Sequence, residues 1–214
     1  YIFLCFFIGN DFVHNLPSIN IRYNGLTNLL NTYNRLQQDN NGNYYLIKNN
    51  NIDLKNLKLF FKRLTEQETN HIKDILFIRE KQEKKIKNIY SELYLKYLKD
   101  NNIIHNNSQD IIDFKNQLPI IDRHDEEIIF LDLNNWRDKY YYFNLYTNHK
   151  YNLTYKDIIE YEKNKICKNY LESLFWTTKY YFEECISWRW YYKYHFSPSI
   201  SDLNNYIQNI KNIE

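Results

Sequence analysis

The sequence predicts a mainly α-helical protein with a small α/β portion at its N-terminus. Two observations carry this. Apolar residues recur every three or four positions through most of the chain, from Leu26 onward, as on one face of a helix. Before them, Ile2 to Ile8 form an unbroken apolar run that ends at Gly9, the pattern of a strand buried on both faces in a parallel sheet.

In chain order, the run 2–8 predicts a strand, and Gly9-Asn10-Asp11 falls at its C-terminal end, the edge where open α/β sheets bind ligands. Asp11 there either caps a turn, as Asn and Asp commonly do, or stands at a metal or substrate site. Leu26, Leu29, Leu30, Tyr33 and Leu36 mark the next helix, and Asp39 to Asn43 is a turn cluster. Tyr44 to Lys48 is a short strand candidate. Asp53 is placed to cap a helix whose apolar face is Leu54, Leu57, Phe61 and Leu64.

From Thr65 to Lys99 the helical spacing continues while charge becomes dense, with Glu80 and Lys84 at pairing distance. Such mixed-charge stretches are usually solvated faces, with a basic RNA-binding face the other reading. Residues 100–125 are Asn-rich and read as a linker or insertion, with a short helix from Ser108 to Phe114 and with Pro119, His105 and His124 along it. Glu126 to Leu133 is apolar enough for a strand or an ordered approach to Trp136, after which Trp136 to Tyr141 looks helical. Thr154 and Asp157 resemble a capping box opening a long helix to about Glu184. Ser201 and Asp202 are expected to cap a last helix running to Asn212. The implied divisions are 1–52, 53–100, 101–125 and 126–214.

A further stretch, Ser187 to Pro198, fits no helical or strand period. Half of its twelve residues are Trp, Tyr or Phe. That density makes either an aromatic core corner or a surface that stacks on flat ligands.

Composition narrows the function classes. The 214 residues suffice for one large domain or two small ones, 43% are apolar and 18% aromatic. A formal net charge of +2 announces no nucleic-acid partner by electrostatics alone. Cys5, Cys167 and Cys185 have no metal-ligand spacing and suit reduced thiols of an intracellular protein. The first apolar run is far shorter than the ~20 residues of a membrane span and lacks the charged flank of a signal peptide. Abundant Asn, Ile, Lys and Tyr fit an AT-rich gene. The absence of Met, with a fold-like segment at the very start, predicts a fragment or a chopped gene product.

Two stretches together resemble the Xrn-type 5′-3′ exoribonucleases. One is Leu4-Cys5-Phe6-Phe7-Ile8-Gly9-Asn10-Asp11-Phe12, with Leu16-Pro17-Ser18 and Ile21-Arg22 after it. The other is Tyr170-Leu171-Glu172-Ser173-Leu174 with Trp176, then Ser187-Trp188-Arg189-Trp190-Tyr191-Tyr192, Tyr194-His195, Pro198 and Ser201-Asp202. Trp136 to Tyr141 is similar to a family segment as well. The resemblance implies that residues 1–52 are the edge of a parallel-sheet nuclease core and that a helical domain follows. It implies hydrolysis of single-stranded RNA from a 5′-monophosphate at a two-metal Mg²⁺ site, where hard oxygen ligands hold two ions that clamp the attacking and leaving oxygens.

On that resemblance Asp11 is a metal ligand and catalytic carboxylate, Asn10 shapes its loop, and Trp188 or Trp190 stacks on the RNA, unless both indoles are core anchors. The other acidic ligands and the 5′-phosphate pocket are implied to lie in a nuclease half that this chain lacks. The chain alone is therefore expected to be inactive. The alternative is a non-catalytic helical module that binds RNA or protein. The resemblance fits a nuclear or a cytoplasmic compartment equally, and no membrane. Two positions depart from the family pattern: Val13-His14-Asn15 replaces Leu-Pro-His, losing a rigidifying proline, and Lys193 stands where a Pro often follows Trp-Tyr-Tyr.

Overall fold

A computed structural model of the chain describes residues 1–100, 124–146 and 155–210. The expected Ser108–Phe114 helix, His105, Pro119 and Thr154 lie outside the described residues.

The chain is mainly helical, with one two-stranded antiparallel ribbon among the described residues. Its first segment corrects the sequence reading. Ile2–Cys5 is a turn of α-helix (α1), and Phe6–Ile8 continues as a 3₁₀ turn. The buried positions are Phe3, Leu4, Phe6 and Phe7, three and four apart, while Ile2 is exposed. Backbone donors close locally, Leu4 and Cys5 onto the Tyr1 carbonyl and Gly9 onto that of Phe6. An apolar run this short reads the same for a buried strand and a buried helical turn. Among the described residues no strand lies alongside to pair with it.

Gly9 ends the segment at φ 95°, ψ 151°, a backbone region that L side chains avoid. A second 3₁₀ turn, Ile21–Tyr23, leads to α2, Gly25–Asp39. A Cβ at Gly25 would sit 2.5 Å from the Asn20 carbonyl oxygen, so only glycine allows the chain to cross itself there. The ribbon, β1 (Ile47–Lys48) and β2 (Asn51–Ile52), pairs Ile47 with Ile52. Asn49 and Asn50 turn it at positive φ, as Asn tolerates.

Helix α3, Leu54–Thr65, starts as the sequence predicts, with the Asp53 carboxylate accepting from the Asn56 amide at 3.0 Å. Burial works against that carboxylate's charge. Lys48, 2.7 Å away, and the amides of Asn56 and Lys55 nevertheless hold it below the usual range. Helix α4, Glu68–Asp100, is the 33-residue charged stretch.

Next, His124–Phe130 forms α5. Of the two readings that the sequence offers for 126–133, a strand or an ordered approach to Trp136, the structure has the second. Trp136–Tyr146 is α6 and Tyr155–Phe182 is the long α7. The last helix, α8, spans Ile200–Gln208 and is capped by Ser199, whose Oγ accepts from the Asp202 amide at 3.1 Å. The expected cap at Ser201 is thus two residues late: the true Ser-x-x-Asp box is Ser199 with Asp202.

One apolar core draws on the N-terminal segment, α2, α3, α7 and α8, so residues from both ends of the chain meet in it. A smaller cluster joins Tyr141, Ile166 and Phe196. Polar ties hold the remaining elements. Glu68, fully buried at the start of α4, accepts from the Ile200 amide at 2.6 Å, from Ser201 Oγ at 2.5 Å and from Arg137 Nη2 at 2.6 Å. This carboxylate therefore joins α4, α6 and the N-terminus of α8.

Candidate functional site

Two irregular segments face each other across a cleft of 280 Å³. One wall is Asn10 to His14, the other Trp176, Trp190, Tyr191, Tyr192 and Tyr194. The first wall is shaped by Asn10. Its Oδ1 accepts from the amides of Phe12 (2.9 Å) and Val13 (3.0 Å), and its own amide donates back to the Val13 carbonyl at 2.9 Å. This Asx turn lifts Asp11 to the tip, where its side chain is exposed and takes no hydrogen bond or ion pair among the described residues. The loop returns through the Leu16 amide onto the Phe7 carbonyl.

The second wall hangs on α7. Trp176 is 5% exposed and its Nε1 donates to the Ser187 carbonyl at 3.0 Å, fixing the start of the aromatic segment. Trp190 stacks on Trp176 at 5.5 Å and 21°, and Tyr180, one helical turn on, stacks on Trp176 at 5.3 Å and 8°. Phe12 meets this pile edge-on, 5.0 Å from Trp176 and 5.1 Å from Tyr180, so the Asp11 loop and the ring stack are in direct contact. Further along, the Lys193 amide donates to Asn169 Oδ1 and Tyr192 Oη to the Phe196 carbonyl. Ser197 Oγ donates to the Asn15 carbonyl at 2.6 Å, closing the two walls on each other. Burial pushes the phenols of Tyr192 and Tyr194 up, so both rings remain neutral.

The structure therefore brings Asp11, Asn10 and Trp190 together and leaves Trp188 apart. Trp188 is 82% exposed, touches Tyr180 edge-on at 6.4 Å, and does not line the cleft. Sequence reasoning missed Trp176, Tyr180 and Phe12 as parts of the platform. The i,i+4 spacing of Trp176 and Tyr180 on a helix was the available signal. Nothing local marks Phe12.

The donor chemistry at Asp11 fits a hard divalent cation, being a free carboxylate in an open cleft. The donor number does not complete a site. Asn10 Oδ1 is committed to backbone amides, and among the described residues no group of three or more His, Cys, Asp or Glu is placed to hold a metal. Among the described residues no helix is long and apolar enough to cross a membrane.

Comparison with known proteins gives the chain's family. The profile of the Xrn1 helical domain family matches residues 1–118 and 121–213. The chain is 23% identical over 230 residues to a Drosophila melanogaster protein named 5'-3' exoribonuclease 2 homolog, covering 96% of this chain and 24% of that protein. It is 24% identical over 250 residues to 5'-3' exoribonuclease 2 of Gallus gallus, covering 95% and 25% respectively. A shorter match to 5'-3' exoribonuclease 2 of Kluyveromyces lactis reaches 38% identity over 73 residues, 34% of this chain and 7% of the relative. The chain thus spans about a quarter of the length of the first two relatives.

Proposed function

The chain belongs to the Xrn1 helical domain family, and from that premise we propose that it forms one side of the RNA site of a 5′-3′ exoribonuclease. The observation that carries the reading is the shared cleft: an unpaired carboxylate, Asp11, stands across from a pre-stacked indole, Trp190. Asp11 would supply one oxygen ligand to Mg²⁺, and Asn10 holds the loop that presents it. Magnesium held there would supply charge neutralisation for phosphodiester hydrolysis. The remaining ligands, and the pocket for a 5′-monophosphate, are assigned to protein beyond these 214 residues.

Trp190 provides a face on which any base can rest, because stacking uses the π-system that every base has. That tolerance suits an exonuclease that must move through all sequences. Tyr192 and Tyr194 are neutral phenols that line the cleft without adding charge, leaving Asp11 as its one acidic group among the described lining residues.

The test is binding of a fluorescent, 5′-phosphorylated oligouridylate to residues 1–214. Trp190→Ala weakens binding about tenfold, within the ~1–3 kcal/mol range for a base–aromatic stack, while Trp188→Ala has a smaller effect. Equal affinities for wild type and Trp190→Ala sink the assignment. With Mg²⁺ the same chain leaves the RNA uncleaved, since one carboxylate cannot assemble a two-metal site.

The lone carboxylate also favours a second reading, a helical module that binds RNA or protein without catalysis. Asp11→Asn in the full-length protein separates the two. It abolishes turnover under the first reading and leaves no activity to lose under the second.

A further inference from the structure

A second cavity, of 510 Å³, adjoins the Asp11 cleft. The two share His14, but the second takes in neither Asp11 nor Trp190. Helical spacing builds most of its wall. Ile72, Ile75 and Arg79 fall on one face of α4, and Tyr140, Phe143 and Asn144 on one face of α6. Phe130 and Ile129 of α5, the loop between His14 and Asn20, and His195 to Ser197 complete it. The volume lies in the ~300–1,000 Å³ range of small-molecule sites.

The lining combines two chemistries. Ile72, Ile75, Ile129 and Phe196 are buried and make an apolar wall, joined by the rings of Phe130, Tyr140 and Phe143. Most polar groups there are committed to the fold. Tyr140 Oη donates to the Ser197 carbonyl at 2.8 Å and Ser197 Oγ to the Asn15 carbonyl at 2.6 Å. Asn15 Nδ2 donates to the carbonyls of Leu16 and Ile19, and Asn144 Nδ2 to that of Tyr140.

The imidazoles of His14 and His195 are different. Both residues are exposed, and neither ring takes a hydrogen bond or an ion pair among the described residues. The bond from Ser197 to Asn15 ties their two segments together, so the rings reach the cavity from neighbouring stretches of backbone. Arg79 adds a guanidinium, its central carbon 4.9 Å from the centroid of the Tyr23 ring. No carboxylate stands among the described lining residues.

N–H donors beside an aromatic and apolar wall, with no carboxylate to repel an anion, suit a flat apolar body that ends in a phosphate. Inorganic phosphate leaves the wall unused. A sugar phosphate sets hydroxyls against it, and a nucleoside leaves the imidazoles and Arg79 without an anion. His14 stands where the family pattern has proline, so an imidazole here is a feature of this chain rather than of the resemblance. We infer that this cavity binds a nucleoside monophosphate, its base against Phe130, Tyr140 and Phe143 and its phosphate at His14, His195 and Arg79. The cavity keeps this chemistry whether or not the neighbouring cleft takes RNA.

Calorimetric titration of the 214-residue chain with adenosine 5′-monophosphate tests this, beside adenosine, ribose 5-phosphate and inorganic phosphate. The monophosphate binds about tenfold or more tighter than each of the other three, the range of a hydrogen bond to a charged group. His195→Ala, at an exposed position outside the Asp11 cleft, weakens it about fivefold and Arg79→Gln about tenfold, while both leave the weaker binding of adenosine unchanged. Circular dichroism checks that each variant keeps its fold. Hydrogen exchange slows at residues 72–79 and 195–197 when the nucleotide is bound.

Equal affinity for the monophosphate and adenosine, or for the monophosphate and inorganic phosphate, overturns the inference. So does an absence of binding at millimolar nucleotide, or wild-type affinity in a folded His195→Ala variant. Loss of binding with Trp190→Ala but not with His195→Ala would place the nucleotide in the Asp11 cleft and equally defeat the proposal.

Discussion

Replacing Glu68 by Gln is the sharpest single perturbation of this fold. The carboxylate is fully buried and every neighbour is a donor: the amides of Ile200 and Ser201, Ser201 Oγ, and Nε and Nη2 of Arg137. Gln keeps the size and one acceptor but turns an NH₂ toward donors. Breaking a buried ion pair costs ~3–5 kcal/mol. The Arg137 side chain is 28% exposed and regains some hydration, which lowers that figure. Stranding an α8 amide adds ~1–3 kcal/mol.

A loss of about 3 kcal/mol is expected on balance, which for a chain of this size lowers Tm by about 6–12 °C. Urea denaturation measures it directly: the midpoint falls by about 1 M at an unchanged slope of roughly 3 kcal/mol per molar. A cycle with Arg137→Gln gives a coupling of ~1–3 kcal/mol between two residues in one network. A Glu68→Gln midpoint within experimental scatter of wild type, or strict additivity in the cycle, refutes the clamp.

Two other changes follow from the same structure. Gly9→Ala places a Cβ 2.9 Å from the Asn15 amide nitrogen at φ 95°. It costs roughly 2–3 kcal/mol of stability by urea titration, and an unchanged midpoint would show that the loop is not held as described. His71 has its pKa lowered from the ordinary 6.5, chiefly by burial and against the pull of Asp74, with Nδ1 buried and unpartnered. The unfolded chain therefore takes up a proton that the folded chain resists. The His71 contribution is full above pH 6.5 and is lost as the pH falls from there toward the depressed value. His71→Phe shrinks the drop in urea midpoint between pH 7.5 and 5.5, and an equal drop in both proteins counts against a buried neutral imidazole.

Much of the helical scaffold was legible because its signals are local. Leu26 to Leu36 and Leu54 to Leu64 have helical spacing over many residues, and Asp53 caps its helix through its own third neighbour. The misread strand, 2–8, is a short apolar run, and 126–133 stayed open between a strand and an ordered approach to Trp136. For these, whether the backbone pairs with a neighbour or with itself is a tertiary matter that periodicity does not encode. The misplaced cap at Ser201 arose because two serines precede Asp202 within three residues, and only Ser199 stands the right distance ahead of it. In the cleft, the chemistry of Asp11 and the aromatic segment could be read from residue types. That Phe12 touches Trp176 across 164 positions could not.

That long-range contact also explains why the two neighbouring indoles are unequal. Trp190 is already ordered against Trp176, which is itself pinned by Ser187, Phe12 and Tyr180. A base that stacks on Trp190 meets a ring whose rotamer is settled, so little side-chain entropy is lost on contact. Trp188, 82% exposed with a single edge contact, would have to be ordered by the ligand itself. Of two identical side chains two residues apart, the one half-hidden in the stack is the better platform. It is also tied to the loop that carries Asp11, because Phe12 packs on the Trp176 ring against which Trp190 stacks. Position of carboxylate and position of platform are in this way a single structural variable, and a substitution at Phe12 disturbs both at once.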